Sequence, residues 1–341
     1  MNISDYKGVW VFAEQRDGKL QKVSLEILGK GREIADKLGT ELTAVVLGYN
    51  THDMSNKLLS YGADKVIACD SKLLWHYSTD AYAKVMCDLV KEKKPEVLFI
   101  GATFIGRDLG PRVSARLGTG LTADCTGLDI DSETKNLMMT RPAFGGNLMA
   151  TIVCADHRPQ MSTVRPGVFE RLEKDKSKID PSKIERAVFT LTEEDIRTKT
   201  EEVIKLSKDI MDIGDAEILV SGGRGVGNSE NFKSLEELAE ALGGTVSASR
   251  AVVDSGWVDK SLQVGQTGKT VRPKIYIACG ISGAIQHLAG MQDSEFIIAI
   301  NKNAECPMMK AADLAIVGDL NKVLPELTAK IRDHKEAGSL Q

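Results

Sequence analysis

The sequence lacks the patterns that mark metal centres, disulfide frameworks and membrane spans. Its six cysteines include no C-x-x-C pair and lie in or beside apolar runs, which predicts free thiols in a reducing cytoplasm. The five histidines have no metal-ligand spacing with cysteines or carboxylates. No apolar run approaches the roughly 20 residues that a spanning helix needs. We therefore expect no metal site and no membrane span. Residues 1–12 carry an acidic residue early and lead straight into a strand, which predicts no signal peptide.

Aromatic residues and unbalanced charge are also scarce. Only 5% of the 341 residues are aromatic, and the formal net charge is −4, so nothing favours a nucleic-acid partner or an anionic membrane surface. Hydrophobic residues make up 42% and charged residues 27%, which is ordinary for a globular protein. The length is sufficient for two domains, each with its own core.

The common catalytic motifs are missing as well. No G-x-S-x-G elbow surrounds Ser282, and Gln263–Lys269 lacks the full spacing of a mononucleotide phosphate loop. The glycines of Gly222–Gly227 read G-G-R-G-V-G, which is not the G-x-G-x-x-G dinucleotide fingerprint. With no pairing of a base and a nucleophile, the sequence predicts a site that binds and tunes a ligand.

The first hundred residues alternate between β-type and helical patterns. Short apolar strands such as Gly8–Ala13 and Val97–Ile100 alternate with helical patterns such as Leu20–Leu38, which predicts a parallel sheet flanked by helices. After Gly120 the pattern changes to strands joined by short polar connections. We expect an antiparallel extension of the sheet there, from the segments Leu137–Arg141, Leu148–Cys154 and Ser162–Val164, with a hairpin turn over Arg141–Asn147.

A charged stretch separates the two halves of the chain. Residues 170–215 are rich in charge and poor in aromatics, which is typical of a solvated linker, and Glu201–Met211 is predicted as a surface helix. We place an N-terminal α/β domain at residues 1–205 and a C-terminal domain at residues 206–341.

In the second half, each apolar strand ends in a polar segment. Ile218–Val220 runs into the glycines with Arg224, Thr245–Val246 into Ser249 and Arg250, and Lys274–Cys279 into a turn with Ser282. Parallel strands bring such ends to one edge of the sheet, where α/β sheets bind ligands. Each motif alone could be a structural turn, but together they indicate a long, polar ligand that bears phosphate.

These motifs closely resemble those of the alpha subunit of electron-transfer flavoproteins. The resemblance lies in Ser247–Gly256 (SASRAVVDSG), Gln263–Arg272 (QVGQTGKTVR) and Lys274–Gly290 (KIYIACGISGAIQHLAG). Gly101–Gly110 and Leu121–Cys125 extend it into the first half, so it covers nearly the whole chain. It implies two domains with mainly parallel sheets flanked by helices, the second a Rossmann-like domain that binds FAD.

The resemblance also implies a role for individual residues. Arg250 would be a cation beside the flavin ring and His287 a partner near its C2 carbonyl, so that nearby positive charge tunes the flavin potential. Arg224, Ser249 and Ser282 would contact the phosphates, and Asn301 and Asp319 the adenosine end. The remaining cofactor-binding positions are Gln263, Val264, Gly265, Gln266, Thr267, Gly283, Ala284, Ile285, Gln286 and Leu320.

Partners follow from the same resemblance. The first domain would dock a beta subunit that carries a second FAD or AMP, and the second domain would swivel between partners. Met161–Gly167 and the N-terminal residues resemble the anaerobic branch linked to acyl-CoA dehydrogenases, which favours electron bifurcation with NADH and ferredoxin through the beta subunit. Alternatives are a simple carrier from acyl-CoA dehydrogenases of fatty acid beta-oxidation to a quinone-linked acceptor, an NAD-dependent oxidoreductase of similar fold, and a non-redox scaffold subunit.

Overall fold

The structure is a computed structural model that describes residues 2–143, 148–198, 200–203, 212–214 and 216–338, with side chains to residue 335. The chain divides into two compact units, unit 1 (Met1–Val203) and unit 2 (Ile204–Gln341). The helix predicted over Glu201–Met211 lies mostly outside the described residues, and residues 201–203 have no regular secondary structure. Among the described residues, no helix is both long and apolar enough to cross a membrane.

Unit 1 alternates strands and helices through its first hundred residues. Its strands are β1 Val9–Phe12, β2 Gln15–Arg16, β3 Lys19–Leu20, β4 Leu42–Gly48, β5 Lys65–Asp70, β6 Val97–Gly101, β7 Leu121–Cys125, β8 Gly127–Ile130, β9 Leu137–Pro142, β10 Met149–Ile152, β11 Gln160–Val164 and β12 Ile184–Arg186. Its α-helices are α1 Lys22–Leu38, α2 His52–Ser60, α3 Thr79–Lys93 and α4 Phe104–Leu117.

Seven of these strands form one parallel sheet in the order β12-β5-β4-β1-β6-β11-β7. The central strands β1, β4 and β6 are buried along their whole length, because helices cover both faces of a parallel sheet. Separate apolar clusters pack on the two faces. The predicted parallel sheet flanked by helices is confirmed.

The predicted antiparallel extension is partly wrong. Strands β8, β9 and β10 do pair antiparallel, but they form a separate three-stranded sheet. Strand β11 instead inserts between β6 and β7, parallel to both. All five of its residues are buried, so its serine and threonine lie inside the sheet. Strands β9 and β10 flank the predicted turn, whose residues 144–147 lie outside the described residues.

Unit 2 contains a single six-stranded parallel sheet among its described residues. Its strands are β13 Ile218–Gly222, β14 Thr245–Ser249, β15 Gln263–Val264, β16 Ile275–Cys279, β17 Phe296–Asn301 and β18 Leu314–Val317. Its α-helices are α5 Phe232–Leu242, α6 Arg250–Asp254, α7 Ile285–Leu288, α8 Pro307–Ala311 and α9 Leu320–Gly338.

The strand order of unit 2 is β15-β14-β13-β16-β17-β18, and every neighbouring pair is parallel. From β13 the chain first builds outward through β14 and β15, then returns to β16 on the other side. This order is that of dinucleotide-binding α/β folds, in which the ligand crevice opens where the winding reverses. The Rossmann-like fold is confirmed, and it places the crevice at the carboxyl ends of β13 and β16.

Candidate functional site

A cleft of about 780 Å³ opens at the carboxyl edge of the unit 2 sheet. That volume falls within the range of small-molecule and cofactor sites. Its lining comes from five separate segments of the chain: Arg224, Gly225, Ser249, Arg250, Ala251, Asp254, Gln263, Val264, Gly265, Gln266, Thr267, Gly280, Ile281, Ser282, Ala284, Gln286, His287 and Asn301.

Two glycine loops meet at the point where β13 and β16 diverge. The Gly223 amide donates to the Cys279 carbonyl at 2.8 Å, and the Gly225 amide donates to the Gly280 carbonyl at 3.0 Å. A Cβ on Gly223 would lie 2.3 Å from the Gly280 oxygen, so no side chain fits between the loops. The glycines missed the dinucleotide fingerprint in sequence, yet they allow the same close backbone approach.

Positive charge at the cleft comes from two arginines. The side chain of Arg224, between the two glycines, is exposed and has no ion pair with a described residue. Arg250 begins α6, and its Nε lies 3.2 Å from the Asp254 carboxylate one turn later. Asp254 also lines the cleft, so the charge of Arg250 is partly offset. Just before α6, the Ser249 hydroxyl makes no capping hydrogen bond.

The loop Gln263–Lys269 packs against α7. The Gln266 amide donates to the Gln286 carbonyl at 2.7 Å, and the Gln263 side-chain amide donates to the Thr267 hydroxyl at 3.0 Å. Lys269, whose Gly-Lys pair resembles a phosphate loop, forms an ion pair with Asp212 at 2.8 Å and does not line the cleft. The loop therefore presents amides and a hydroxyl to the cleft, and its lysine lies outside the cleft lining.

His287 lies in the cleft wall but is nearly buried, with 6% of its surface exposed. Its Nε2 is 2.9 Å from the Tyr276 hydroxyl. Burial lowers the pKa of His287 to about 4, although the backbone of Val264 acts in the opposite direction. At neutral pH the ring is therefore uncharged. The expectation that His287 adds positive charge is corrected, and the cations of the cleft lining are the two arginines.

Four of the predicted residues lie outside the lining of the cleft. Gly283 has φ +83° and packs against the Met308 backbone, while Ile285 begins α7 and is half exposed. Asp319 accepts from the Asn321 amide and pairs with Lys302. Leu320, the first residue of α9, is buried in an apolar cluster of unit 2. Their roles as cofactor contacts remain predictions.

Five lining residues were not predicted: Gly225, Ala251, Asp254, Gly280 and Ile281. Two of them, Gly225 and Gly280, belong to the glycine-rich segments and could have been inferred from the strand ends. The helical spacing of Arg250 and Asp254 also places them on one face, which the sequence pattern could have indicated. Ala251 and Ile281 are apolar, so no sequence motif marked them as site residues. The path of the backbone alone places them in the cleft lining.

Unit 1 also has a switch point, the place where the winding of its sheet reverses, but a carboxylate occupies it. Its sheet reverses between β1 and β6, and Glu14, directly beyond β1, is 1% exposed. The carboxylate accepts from the Thr103 hydroxyl and pairs with Arg16 at 2.8 Å. A buried negative charge at this position opposes phosphate binding. Among the described residues, no group of histidine, cysteine or carboxylate side chains could hold a metal ion.

Comparison with known proteins identifies the relatives of this chain. The model of the electron transfer flavoprotein domain matches residues 9–188, and that of the electron transfer flavoprotein FAD-binding domain matches residues 212–292. The subunit alpha from Clostridium acetobutylicum is 71% identical over 97% of this chain and 99% of the relative. The chain belongs to the electron-transfer flavoprotein alpha subunit family.

Two further family members are similar over nearly the full length. Protein FixB of Clostridium saccharobutylicum is 63% identical over 98% of both chains. A protein of Anaerotignum propionicum named "Acryloyl-CoA reductase electron transfer subunit beta" is 49% identical over 98% of both chains. The family's FAD-binding domain spans the cleft lining from Arg224 to His287 and stops short of Asn301.

The residues of the cleft fit the chemistry of a flavin dinucleotide. Arg224 and the Ser249 hydroxyl line the cleft as donors for which no side-chain partner is found among the described residues. The glycines of the two loops allow close backbone approach, because a Cβ on Gly223 or Gly225 would meet the Gly280 backbone. The half-exposed loop Gln263–Thr267 and α7 offer amide groups suited to the polar edge of a planar ring. Hydroxyls, amides and two guanidinium groups thus supply donors along the cleft.

Proposed function

We propose that the cleft of unit 2 holds one FAD and that this chain is the alpha subunit of a two-chain electron-transfer flavoprotein that passes single electrons. One observation carries the proposal: the family's FAD-binding domain matches residues 212–292, which supply the cleft lining from Arg224 to His287. When bound, FAD supplies the redox chemistry, and the protein supplies position and electrostatics.

Each part of the cleft has a task in this proposal. Arg224, carried by the glycine loops, holds the diphosphate, since a guanidinium group is a strong phosphate donor. The loop Gln263–Thr267 and α7 orient the ring. Arg250 provides a cation at the cleft rim, and Asp254 limits its strength. Asn301, whose amide donates to the Ile281 carbonyl at 3.0 Å, borders the adenosine end.

The partners proposed are a beta subunit docked on unit 1 and an acyl-CoA dehydrogenase. The filled switch point of unit 1 favours docking over nucleotide binding there. The printed name of the Anaerotignum relative links an electron transfer subunit to an acyl-CoA substrate. We favour a bifurcating assembly in which a second FAD in the beta subunit takes hydride from NADH, with the acyl-CoA dehydrogenase and ferredoxin as acceptors.

The nucleotide content of the copurified heterodimer tests this proposal. Two FAD per heterodimer support the bifurcating assembly, and NADH should then reduce ferredoxin only when the acyl-CoA substrate is present. One FAD with one AMP supports the simple carrier and leaves the FAD site in place. A heterodimer that lacks flavin and does not take up added FAD contradicts the whole proposal.

A further inference from the structure

A cluster of polar side chains is buried behind the cleft wall. Ser221, Ser247 and Tyr276 are 0% exposed and His287 is 6% exposed. Ser221 and Ser247 are direct neighbours on β13 and β14, and Tyr276 lies on the adjacent strand β16. The surrounding side chains are apolar. Buried polar groups cost free energy unless they are hydrogen-bonded, so this cluster needs an explanation that the apolar core does not supply.

The hydrogen bonds of the cluster are incomplete. Tyr276 and His287 share one bond, 2.9 Å between the hydroxyl and Nε2. The two serine hydroxyls and Nδ1 of His287 have no partner among the described residues. Burial raises the pKa of the Tyr276 phenol, while Ser221 and Ser247 beside it act in the opposite direction. Tyr276 therefore keeps its proton and can donate either to His287 or to a serine.

Two arrangements of the neutral imidazole are chemically possible. Either Tyr276 donates to Nε2 and the ring proton is on Nδ1, or the ring proton is on Nε2 and Tyr276 accepts it. Nε2 is the partner in the one described hydrogen bond of the Tyr276 hydroxyl. The second arrangement leaves the buried phenol proton and the Nδ1 lone pair both without a partner, whereas the first leaves only the Nδ1 proton so, which favours the first arrangement.

We propose that Tyr276 is a positioning residue for His287: its hydroxyl donates to Nε2, keeps the proton of the neutral ring on Nδ1 and fixes the ring in the cleft wall. The role toward a bound ligand rests on the proposed FAD site. The ligand then meets a fixed, uncharged imidazole on this side, with the charge supplied by Arg250. The two serines are alternative acceptors that compete with Nε2 for the tyrosine proton.

Nitrogen NMR of the heterodimer, with ¹⁵N-labelled histidine in this chain, tests the proposal directly. A His287→Gln variant identifies the His287 signals among the five histidines. In the wild type we expect the Nδ1–H tautomer to dominate. In Tyr276→Phe we expect its ratio to the Nε2–H tautomer to fall about fivefold, which corresponds to ~1 kcal/mol for one hydrogen bond. A wild-type ring protonated on Nε2, or an unchanged ratio in Tyr276→Phe, overturns the proposal.

Tyr82→Phe is the matched control for a buried tyrosine. Tyr82 is 2% exposed and its hydroxyl donates to the Leu74 carbonyl at 2.8 Å, in unit 1. It should be destabilised to a similar degree but keep the His287 tautomer. The double variant Ser221→Ala/Ser247→Ala removes the competing acceptors, so it should keep or strengthen the Nδ1–H form. A shift of this variant toward Nε2–H contradicts the competition and overturns the proposed direction of donation.

The ligand-side role has a separate readout. At a fixed ambient potential, Tyr276→Phe should change the ratio of oxidised to reduced flavin bound by unit 2 by about threefold or more, because the adjoining ring is no longer fixed. Tyr82→Phe should leave that ratio unchanged. Equal ratios in both variants overturn the positioning role. A heterodimer without flavin instead contradicts the proposed function, and the tautomer measurement still decides the role of Tyr276.

Discussion

At the scale of single residues, Arg250 and Asp254 set the charge at the rim of the cleft. Because a cation stabilises an electron-rich flavin, Arg250→Ala should lower the potential of the flavin in unit 2 by about 40 mV. This corresponds to ~1 kcal/mol for a charge a few Å away in an exposed site, with 59 mV per tenfold change. Asp254→Asn should raise the potential, since the arginine loses its counter-charge. Spectroelectrochemical titration of the heterodimer measures both shifts.

Lys274 provides the control for this pair. It forms an exposed ion pair with Glu217 at 3.1 Å and does not line the cleft, so Lys274→Ala should leave the potential within a few mV. If Arg250→Ala and Lys274→Ala shift the potential equally, the effect is one of overall charge. The assignment of Arg250 to the flavin environment would then be wrong.

The depressed pKa of His287 predicts how stability depends on pH. The unfolded chain binds a proton near pH 6.5, whereas burial lowers the pKa in the folded chain to about 4. Between these values the unfolded state holds more protons, so stability falls as the pH falls from 6.5 towards 4. Between pH 7 and pH 5 the loss from this group is about 2 kcal/mol.

A His287→Gln variant removes this titration and should show a smaller loss between the same two pH values. Urea unfolding of the heterodimer at pH 7 and pH 5 provides the measurement. His52→Gln, at the exposed start of α2, serves as the control and should behave as wild type. A loss of equal size in His287→Gln would show that the buried imidazole is not its source.

At the scale of elements, the contact between the two glycine loops sets the shape of the cleft. Gly223→Ala would place a Cβ 2.3 Å from the Gly280 carbonyl oxygen and separate the loops. We expect a destabilisation of roughly 2–3 kcal/mol and a loss of at least about tenfold in FAD affinity, since 1.4 kcal/mol corresponds to a factor of ten. Calorimetric FAD titration and urea unfolding measure the two effects.

Gly243→Ala separates these effects from the general cost of replacing a glycine. Gly243 ends α5 with φ +70° and has open space around its Cβ position. Its replacement should cost about 1–2 kcal/mol through backbone strain alone and leave FAD affinity unchanged. Wild-type affinity in Gly223→Ala would show that the loop contact does not shape the binding site.

The elements of the parallel sheets could be predicted because their signals are local. The short apolar strands of unit 2 each end in a polar break, and parallel pairing then brings those breaks to one edge. Strand β11 was harder, since its position between β6 and β7 depends on a crossover that no local pattern records. For the same reason, the sequence could not show that β8, β9 and β10 form a three-stranded sheet separate from the main sheet.

The site was predictable in composition but not in charge state. Four residues predicted for the site lie at or just beyond strand ends, and the structure brings all of them to one cleft: Arg224, Ser249, Gln266 and Asn301. The neutral state of His287 depends on its burial and on Tyr276, eleven positions earlier on another element. Such packing is a property of the folded unit, and the spacing of residues along the sequence does not indicate it.

At the scale of the whole molecule, the two units differ in the residues at their ligand crevices, although both contain parallel α/β sheets. In unit 1 the crevice position holds the buried carboxylate of Glu14, whereas in unit 2 it holds glycine backbone and an arginine without an ion pair among the described residues. An anionic dinucleotide should therefore bind to unit 2. This difference follows from a few residues at the strand ends, since the sheets themselves are of one kind.

Photolabelling of the heterodimer with an azido derivative of FAD tests this division most directly. After irradiation, the labelled peptides are mapped by mass spectrometry, with excess FAD as the competitor. We predict a competed label on this chain within the segments that line the cleft, between Arg224 and Asn301. A competed label on this chain confined to unit 1, or no competed label on this chain at all, would contradict the account.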